Sequence, residues 1–151
     1  MADSKAVGAP KVLLAVYRRE DILTTAVQRA SDGVKVEFTF PAYLRTIRPI
    51  NHVSAVQIGA ALIEGAYCAL EDAWSAGGLA GHTSAEWFYT TANDWLVRRQ
   101  TVTYIDQVIA GAPVALAFHL VRVVNRKDFL WATVSFDGFC RGTTTWVLPQ
   151  R

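Results

Sequence analysis

The chain has 151 residues, of which 52% are hydrophobic and 19% are charged, and its formal net charge is +2. This length and composition are typical of one globular domain with a substantial core, so we expect a single domain over residues 1–151, with a loose tail over residues 1–10. The small net charge and the lack of any Lys or Arg run longer than two residues exclude a typical nucleic-acid-binding protein.

The cysteines and the first residues of the chain indicate a compartment. Cys68 and Cys140 do not have the spacing of a disulfide framework, which favours a reducing environment. The first residues lack a basic segment followed by an apolar one, so we expect no signal peptide. These patterns predict a cytoplasmic protein.

The first half of the chain begins with an ambiguous segment and continues with a hairpin. Residues 11–21 fit either a short helix or a strand. Residues 23–30 and 34–40 flank Asp32-Gly33, a dipeptide that supplies the positive φ values of a tight hairpin turn. The second arm alternates apolar and polar residues, which predicts a strand with one buried face.

One long helix is predicted from Ala55 to the glycine pair Gly77-Gly78. Ser54 and Gln57 form a capping-box pattern at its start. The helix is apolar on nearly every side, as in a membrane span or the buried centre of a fold. Its longest uncharged part, residues 53–63, is shorter than the roughly 18 residues that a span needs, and Glu64 follows directly. We therefore expect a core helix and no membrane span.

The sequence after this helix predicts five strands, over residues 86–91, 95–108, 114–124, 129–136 and 143–148. An early hairpin, one apolar helix and a long antiparallel meander predict an α+β architecture. A sheet that curls around one long central helix is the shape of a hot-dog fold. Hot-dog domains usually pair, so we expect a homodimer, or a heterodimer with another hot-dog subunit.

Glu64 is the helix residue whose surroundings best indicate chemistry. Its neighbours over residues 62–67 are small or apolar, which predicts a desolvated carboxyl group with a raised pKa. Such a group is a candidate general acid or base. Gln57, Glu64 and Glu71 recur every seven residues on one stripe, and for Glu71 and Asp72 a solvated surface is the simpler interpretation.

Other features surround the start of the helix. His52 lies on the preceding loop, where a lone histidine more often has a structural role. Gly59 and Gly65 each cost about 1 kcal/mol relative to alanine within a helix, which indicates close approach by a strand, a helix or a thioester ligand. The backbone N–H groups over residues 54–57 are suited to polarising a carbonyl oxygen.

A longer pattern spans the helix start: Tyr43…His52-Val53-Ser54-Ala55-Val56-Gln57…Glu64-Gly65-Ala66-Tyr67. It resembles the FcoT-like branch of the hot-dog superfamily, in detail over this stretch and in layout over residues 23–148. Members of that branch are described as long-chain acyl thioesterases, or as enzymes that add glycine to an enoyl group on acyl carrier protein. Here Ser54 stands where the branch has Asn, Gln57 where it has Glu, and Ile63-Glu64 where it has Asn-Gln.

The same stretch is similar to the 3-hydroxyacyl-ACP dehydratases. In those enzymes a His-Phe-Pro-Gly loop precedes the helix and an acidic residue lies within it. The segments in similar places here are His52-Val53-Ser54-Ala55 and Leu62-Ile63-Glu64-Gly65-Ala66. The resemblance implies that His52 removes the α-proton, that Glu64 serves the departing hydroxyl, and that a dimer completes the dyad.

We therefore expect a dehydratase that converts a 3-hydroxyacyl thioester on acyl carrier protein into the enoyl thioester. The residues expected to contact the substrate or the carrier protein are Tyr43, Ser54, Gln57, Gly59, Arg98 and Arg99. For the two arginines a solvated strand end is the commoner role. We expect no cofactor and no metal, since the three histidines lack ligand-like spacing.

Two other functions fit the same residues. An acyl-CoA or acyl-ACP thioesterase of the FcoT-like type would use Glu64 to activate a water. A non-catalytic hot-dog subunit would bind acyl chains or an active partner. The fate of the thioester distinguishes dehydration from hydrolysis.

Overall fold

The structure is a computed structural model that describes residues 9–41 and 53–150. Its α-helices are α1 (Lys11–Val16), α2 (Ala55–Gly77) and α3 (Ala85–Thr91), and short 3-10 turns cover Arg19–Asp21 and Ala92–Asp94. The strands are β1 (Thr24–Ala30), β2 (Gly33–Phe38), β3 (Leu96–Tyr104), β4 (Val114–Asn125), β5 (Phe129–Gly138) and β6 (Cys140–Pro149).

The strands form one antiparallel sheet in the order β1-β2-β4-β5-β6-β3. Strands β1 and β3 are therefore its two edges within the described part of the chain. Helix α2 packs mainly on β2 and β4, with further contacts to β1. The predicted α+β architecture with a long helix on an antiparallel sheet is confirmed, and the arrangement is consistent with a hot-dog-like fold.

The start of α2 follows from its local sequence. The Ser54 hydroxyl accepts a hydrogen bond from the Gln57 backbone N–H at 3.3 Å, and the Gln57 side-chain oxygen accepts one from the Ser54 N–H at 3.1 Å. This reciprocal cap satisfies two N–H groups that a helix start leaves unpaired. The predicted first residue, Ala55, is confirmed, and the helix ends at Gly77.

The two glycines inside α2 have different surroundings. A Cβ atom at Gly65 would lie 2.1 Å from the Phe118 ring, so only glycine lets β4 approach this closely. The expected close approach is confirmed at Gly65. At Gly59 no described atom lies within 4 Å of the equivalent position, so a neighbouring strand or helix does not explain that glycine.

Two segments predicted as strand or left ambiguous are helical. Residues 86–91, predicted as a strand, belong to helix α3, which begins after Ser84 because the Ser84 hydroxyl accepts the Trp87 N–H at 3.2 Å. Phe88 is fully buried against Trp74, 4.7 Å between ring centroids, and this packing overrides the β-propensity of the segment. The ambiguous residues 11–21 form α1 and a 3-10 turn.

The strand predicted over residues 95–108 is shorter than expected. It ends at Tyr104, after which the N–H groups of Ile105 and Asp106 both donate to the Phe139 carbonyl. Within the described ranges, no helix has both the length and the apolar character that crossing a membrane requires.

Candidate functional site

Glu64 lies in the middle of α2, and only 2% of its surface is exposed. Its Oε1 accepts the Leu23 N–H at 3.0 Å. Its Oε2 accepts the same N–H at 3.1 Å, the Thr24 N–H at 2.9 Å and the Thr24 hydroxyl at 2.7 Å. The carboxyl group therefore connects the central helix to the first residues of β1.

Burial and hydrogen bonding act on the Glu64 pKa in opposite directions. Burial raises it, and the hydrogen bonds from Leu23 and Thr24 lower it, with burial the larger effect. The pKa of Glu64 is thus above its ordinary value, as the sequence predicts. Because Oε2 accepts three hydrogen bonds and Oε1 only one, Oε1 is the oxygen with room for a proton.

Tyr17 is electrostatically linked to this carboxyl group. Burial, and secondarily the negative charge of Glu64, raise the pKa of Tyr17 to about 12. The Tyr17 ring also packs edge-on against Tyr67, with 6.2 Å between centroids. The phenol therefore stays neutral beside Glu64 at physiological pH.

A cavity of about 500 Å³ adjoins the strand residues that bind Glu64. We call it the Leu23–Pro41 cavity, and its lining residues are Glu20, Ile22, Leu23, Thr39, Phe40, Pro41, Ala110 and Gly111. Leu23 donates its N–H to Glu64, and the Pro41 carbonyl accepts the Gln57 side-chain amide at 2.8 Å. Hydrogen bonds thus connect the cavity wall both to Glu64 and to the first turn of α2.

Backbone hydrogen bonds connect the turn at residues 108–111 both to the cavity wall and to the segment that precedes α2. The Gly111 N–H donates to the Phe40 carbonyl at 2.9 Å, and the Val53 N–H donates to the Val108 carbonyl at 2.8 Å. The start of α2 is therefore held beside the cavity by backbone hydrogen bonds. A polarised or negatively charged oxygen placed there would face a helix start, which favours negative charge.

The structure gives the three predicted binding residues on α2 different roles. Ser54 and Gln57 have their side chains occupied by the helix cap, and Gln57 additionally by Pro41. Gly59 has open space around it among the described residues. Of the three, Gly59 is the position that leaves room for a ligand.

Two predicted site residues, Tyr43 and His52, lie outside the described residues. The pairing of His52 with Glu64 therefore stays a prediction.

Arg98 and Arg99 lie on edge strand β3, and both are exposed. Glu64 instead contacts β1, at the opposite edge of the sheet. The Arg98 guanidinium stacks on the Trp131 ring, 3.9 Å from its centroid, and Arg126 lies 5.1 Å from the same ring. This chain therefore does not bring the two arginines to Glu64.

Glu71 is not the solvated residue that its position on the helical stripe predicts. It is half-buried, its Oε2 accepts the Val12 N–H at 3.0 Å, and its Oε1 accepts the Tyr89 hydroxyl at 3.0 Å. Sequence reasoning missed this role, because α1 and α3 were not both predicted as helices.

Cys68 and Cys140 are both free and buried. Within residues 9–41 and 53–150, no group of three or more His, Cys, Asp and Glu side chains is arranged to hold a metal ion.

No protein-family model matches this sequence, and no curated protein matches it. Among solved structures, it is similar to Cj0977, a sigma28-regulated virulence protein from Campylobacter jejuni (9% identity, TM-score 0.57, covering 100% of this chain and 96% of that one). It is also similar to the HP0420 homologue from Helicobacter felis (14% identity, TM-score 0.56, covering 100% of this chain and 94% of that one). A third similar structure is the conserved protein PA5202 from Pseudomonas aeruginosa (14% identity, TM-score 0.53, covering 92% of this chain and 99% of that one). These neighbours have a hot-dog-like fold, and at such identities the likeness concerns the fold alone.

Proposed function

We propose that this chain is a hot-dog enzyme that dehydrates a 3-hydroxyacyl thioester carried on acyl carrier protein. The observation that supports it is Glu64, a carboxyl group buried in the middle of the central helix with a raised pKa. Buried titratable groups of this kind concentrate at catalytic sites. The adjoining Leu23–Pro41 cavity connects this group to the helix start, where the thioester carbonyl is proposed to bind.

The proposed reaction assigns one role to each group. His52 accepts the α-proton, which the thioester makes acidic. The N–H groups of Ala55 and Val56, which the Ser54–Gln57 cap does not use, stabilise the negative charge that develops on the carbonyl oxygen. Protonated Glu64 gives its proton to the hydroxyl at the β-carbon. The C–O bond breaks, the C=C bond forms and water leaves.

The burial of Glu64 sets a requirement on this mechanism. With 2% of its surface exposed, Glu64 meets the substrate only if the cavity wall at Leu23 is displaced as the acyl chain enters. Such a displacement breaks the bonds from the Leu23 N–H to both oxygens of Glu64. Oε1 then has no hydrogen bond left, whereas Oε2 keeps those from Thr24, so Oε1 is the oxygen available to the substrate.

The test uses the pure full-length protein with a 3-hydroxyacyl-ACP and, separately, the matching enoyl-ACP, followed by intact mass of the carrier. Loss or gain of one water, abolished by Glu64→Gln and by His52→Ala, is the expected result. Glu86→Gln, an exposed glutamate on α3, is the matched control and should retain activity. Turnover that persists in Glu64→Gln would overturn the assignment.

A non-catalytic subunit that binds acyl chains is the second candidate. It is favoured by the hydrogen bonds from Leu23 and Thr24, which give both oxygens of Glu64 a structural partner. Binding of acyl-ACP without any mass change would support it over the dehydratase. Release of free carrier protein would indicate instead the thioesterase expected of an FcoT-like protein.

We also propose that two copies pair through their β3 strands. Strand β3 is hydrogen-bonded only to β6 among the described strands, so its other side offers unpaired backbone groups. Leu96 and Tyr104 on this strand are 67% and 50% exposed. A two-fold pairing of such edges joins two sheets into one.

A further inference from the structure

A larger cavity, of about 740 Å³, lies where α1, the later part of α2 and the β1–β2 hairpin meet. We call it the α1 cavity. Its apolar lining includes Leu14, Val27, Val34, Cys68 and Trp74, and it shares no lining residue with the Leu23–Pro41 cavity. The volume is in the range of small-molecule sites, about 300–1,000 Å³.

The charged residues around this cavity leave positive charge in excess. Three cations (Lys11, Arg19 and Arg29) and two carboxylates (Glu71 and Asp72) line it. Arg29 pairs with Asp72 at 2.5 Å. Glu71 is occupied by a backbone N–H and a tyrosine hydroxyl. No carboxylate of the described residues lies within 4.0 Å of Lys11 or Arg19. The Lys11 ammonium lies over the Tyr89 ring, 4.2 Å from its centroid, a contact that does not neutralise its charge. Both cations can therefore attract an anion.

Trp74 and Leu14 are the two lining side chains with an unusual environment. The indole N–H of Trp74 is buried and has no acceptor among the described residues, although the ring is held by stacking on Phe88. Buried donors without a partner are rare in proteins. Leu14 is 41% exposed beside the cavity. A ligand with an apolar body would cover Leu14 and pack beside Trp74.

We infer that the α1 cavity binds an amphipathic anion, an aliphatic chain that ends in a carboxylate or a phosphate. The chain packs against Leu14, Val27 and Trp74. The anionic group lies at the rim, near Lys11 and Arg19. This site is distinct from the one proposed for the thioester.

The test is calorimetric titration of the full-length protein with dodecanoate, dodecyl phosphate and dodecanol. Both anions are expected to bind, and dodecanol about fivefold more weakly, because it lacks the interaction with exposed cations. Equal binding of all three ligands would overturn the electrostatic part of the inference. If none of the three ligands binds, the proposed site is wrong. A preference between the two anions identifies the head group.

Variants locate the ligand. Arg19→Gln is expected to weaken dodecanoate binding about fivefold, whereas Arg122→Gln, at an exposed arginine of β4 that does not line the α1 cavity, leaves it unchanged. Leu14→Asp, which adds a negative charge at the wall, should weaken binding at least about tenfold, since it opposes the anion and removes apolar contact. Val121→Asp is its control, at a site 51% exposed and outside the cavity.

These titrations involve no thioester, so they remain informative even if the dehydratase proposal fails. Unchanged affinity in both Arg19→Gln and Leu14→Asp would show that any dodecanoate binds elsewhere and would overturn the inference.

Discussion

The Glu64 carboxylate accepts both the backbone N–H of Thr24, at 2.9 Å, and its hydroxyl, at 2.7 Å. A side chain of the central helix thus fixes the first residue of an edge strand. The same carboxyl group is the proposed proton donor, so its contribution to stability and its contribution to catalysis are both measurable on one residue.

We expect Glu64→Gln to lower the free energy of unfolding by about 1–3 kcal/mol, because an amide nitrogen replaces one oxygen that accepts N–H bonds. Urea denaturation followed by circular dichroism measures this change. Glu86→Gln, on the exposed face of α3, should stay within about 0.5 kcal/mol of the parent protein. Equal stability of the two variants would contradict the anchoring role of Glu64.

The raised pKa of Glu64 predicts a pH dependence of stability. A carboxyl group whose folded pKa lies above its unfolded value favours folding at low pH, and this contribution is lost as pH rises through the folded pKa. We therefore expect the stability of the parent protein, relative to Glu64→Gln, to fall as pH rises above the ordinary value of 4.5. A difference that grows with pH would show that the hydrogen bonds outweigh burial.

Tyr17 reports the charge on Glu64. Its pKa is raised to about 12 by burial first and by the Glu64 carboxylate second. Replacing Glu64 by Gln removes the charge, so the pKa of Tyr17 should decrease while remaining above its ordinary value of 10.0. Ultraviolet absorbance during alkaline titration, with Tyr17→Phe used to assign the transition, measures it. An unchanged transition would mean that the two groups do not interact.

The two helix glycines predict opposite effects of alanine. Gly65→Ala places a methyl group against the Phe118 ring and should destabilise the protein by about 1–3 kcal/mol. No atom of the described residues lies within 4 Å of a Cβ at Gly59, so Gly59→Ala should stabilise the helix by up to about 1 kcal/mol. Thermal denaturation of both variants tests the pair, and Phe118→Leu should partly restore Gly65→Ala.

If two copies pair through their β3 edges, the protein is a dimer in solution. A charged side chain introduced on β3 should then dissociate the dimer into monomers. Tyr104→Lys introduces a lysine at a position that is 50% exposed, and lysine on an edge strand opposes strand pairing. Light scattering after size exclusion should show a monomer for this variant. Ile109→Lys, at a 51% exposed site outside the six strands, should remain dimeric. A monomeric parent protein would overturn the pairing.

The features that the sequence predicted correctly depend on neighbouring residues. The capping box of Ser54 and Gln57 lies within four residues. The early hairpin was also predicted, but its turn lies at Ser31-Asp32, because Gly33 already pairs with Ala30 as the first residue of β2, and Asp32 does not adopt the positive φ expected of it. Alternation also predicted β4 to β6, whose bounds differ from expectation by only a few residues at most.

The features that were missed depend on distant partners. Glu64 binds Thr24 and Leu23, which are 40 and 41 positions away along the chain. Glu71 binds Val12, which is 59 positions away. Helix α3 was predicted as a strand because its aromatic residues favour strands when no packing partner is known. No local pattern in one sequence specifies these contacts.

The bond from the Val12 N–H to Glu71 has a kinetic consequence for α1. A helix of six residues is unstable alone, so α1 persists only while α2 holds it through this bond and the packing around it. Hydrogen exchange at Val12 therefore measures how often α1 detaches from the body of the protein. Because α1 contributes Lys11 and Leu14 to the wall of the larger cavity, each detachment of α1 would also open that cavity.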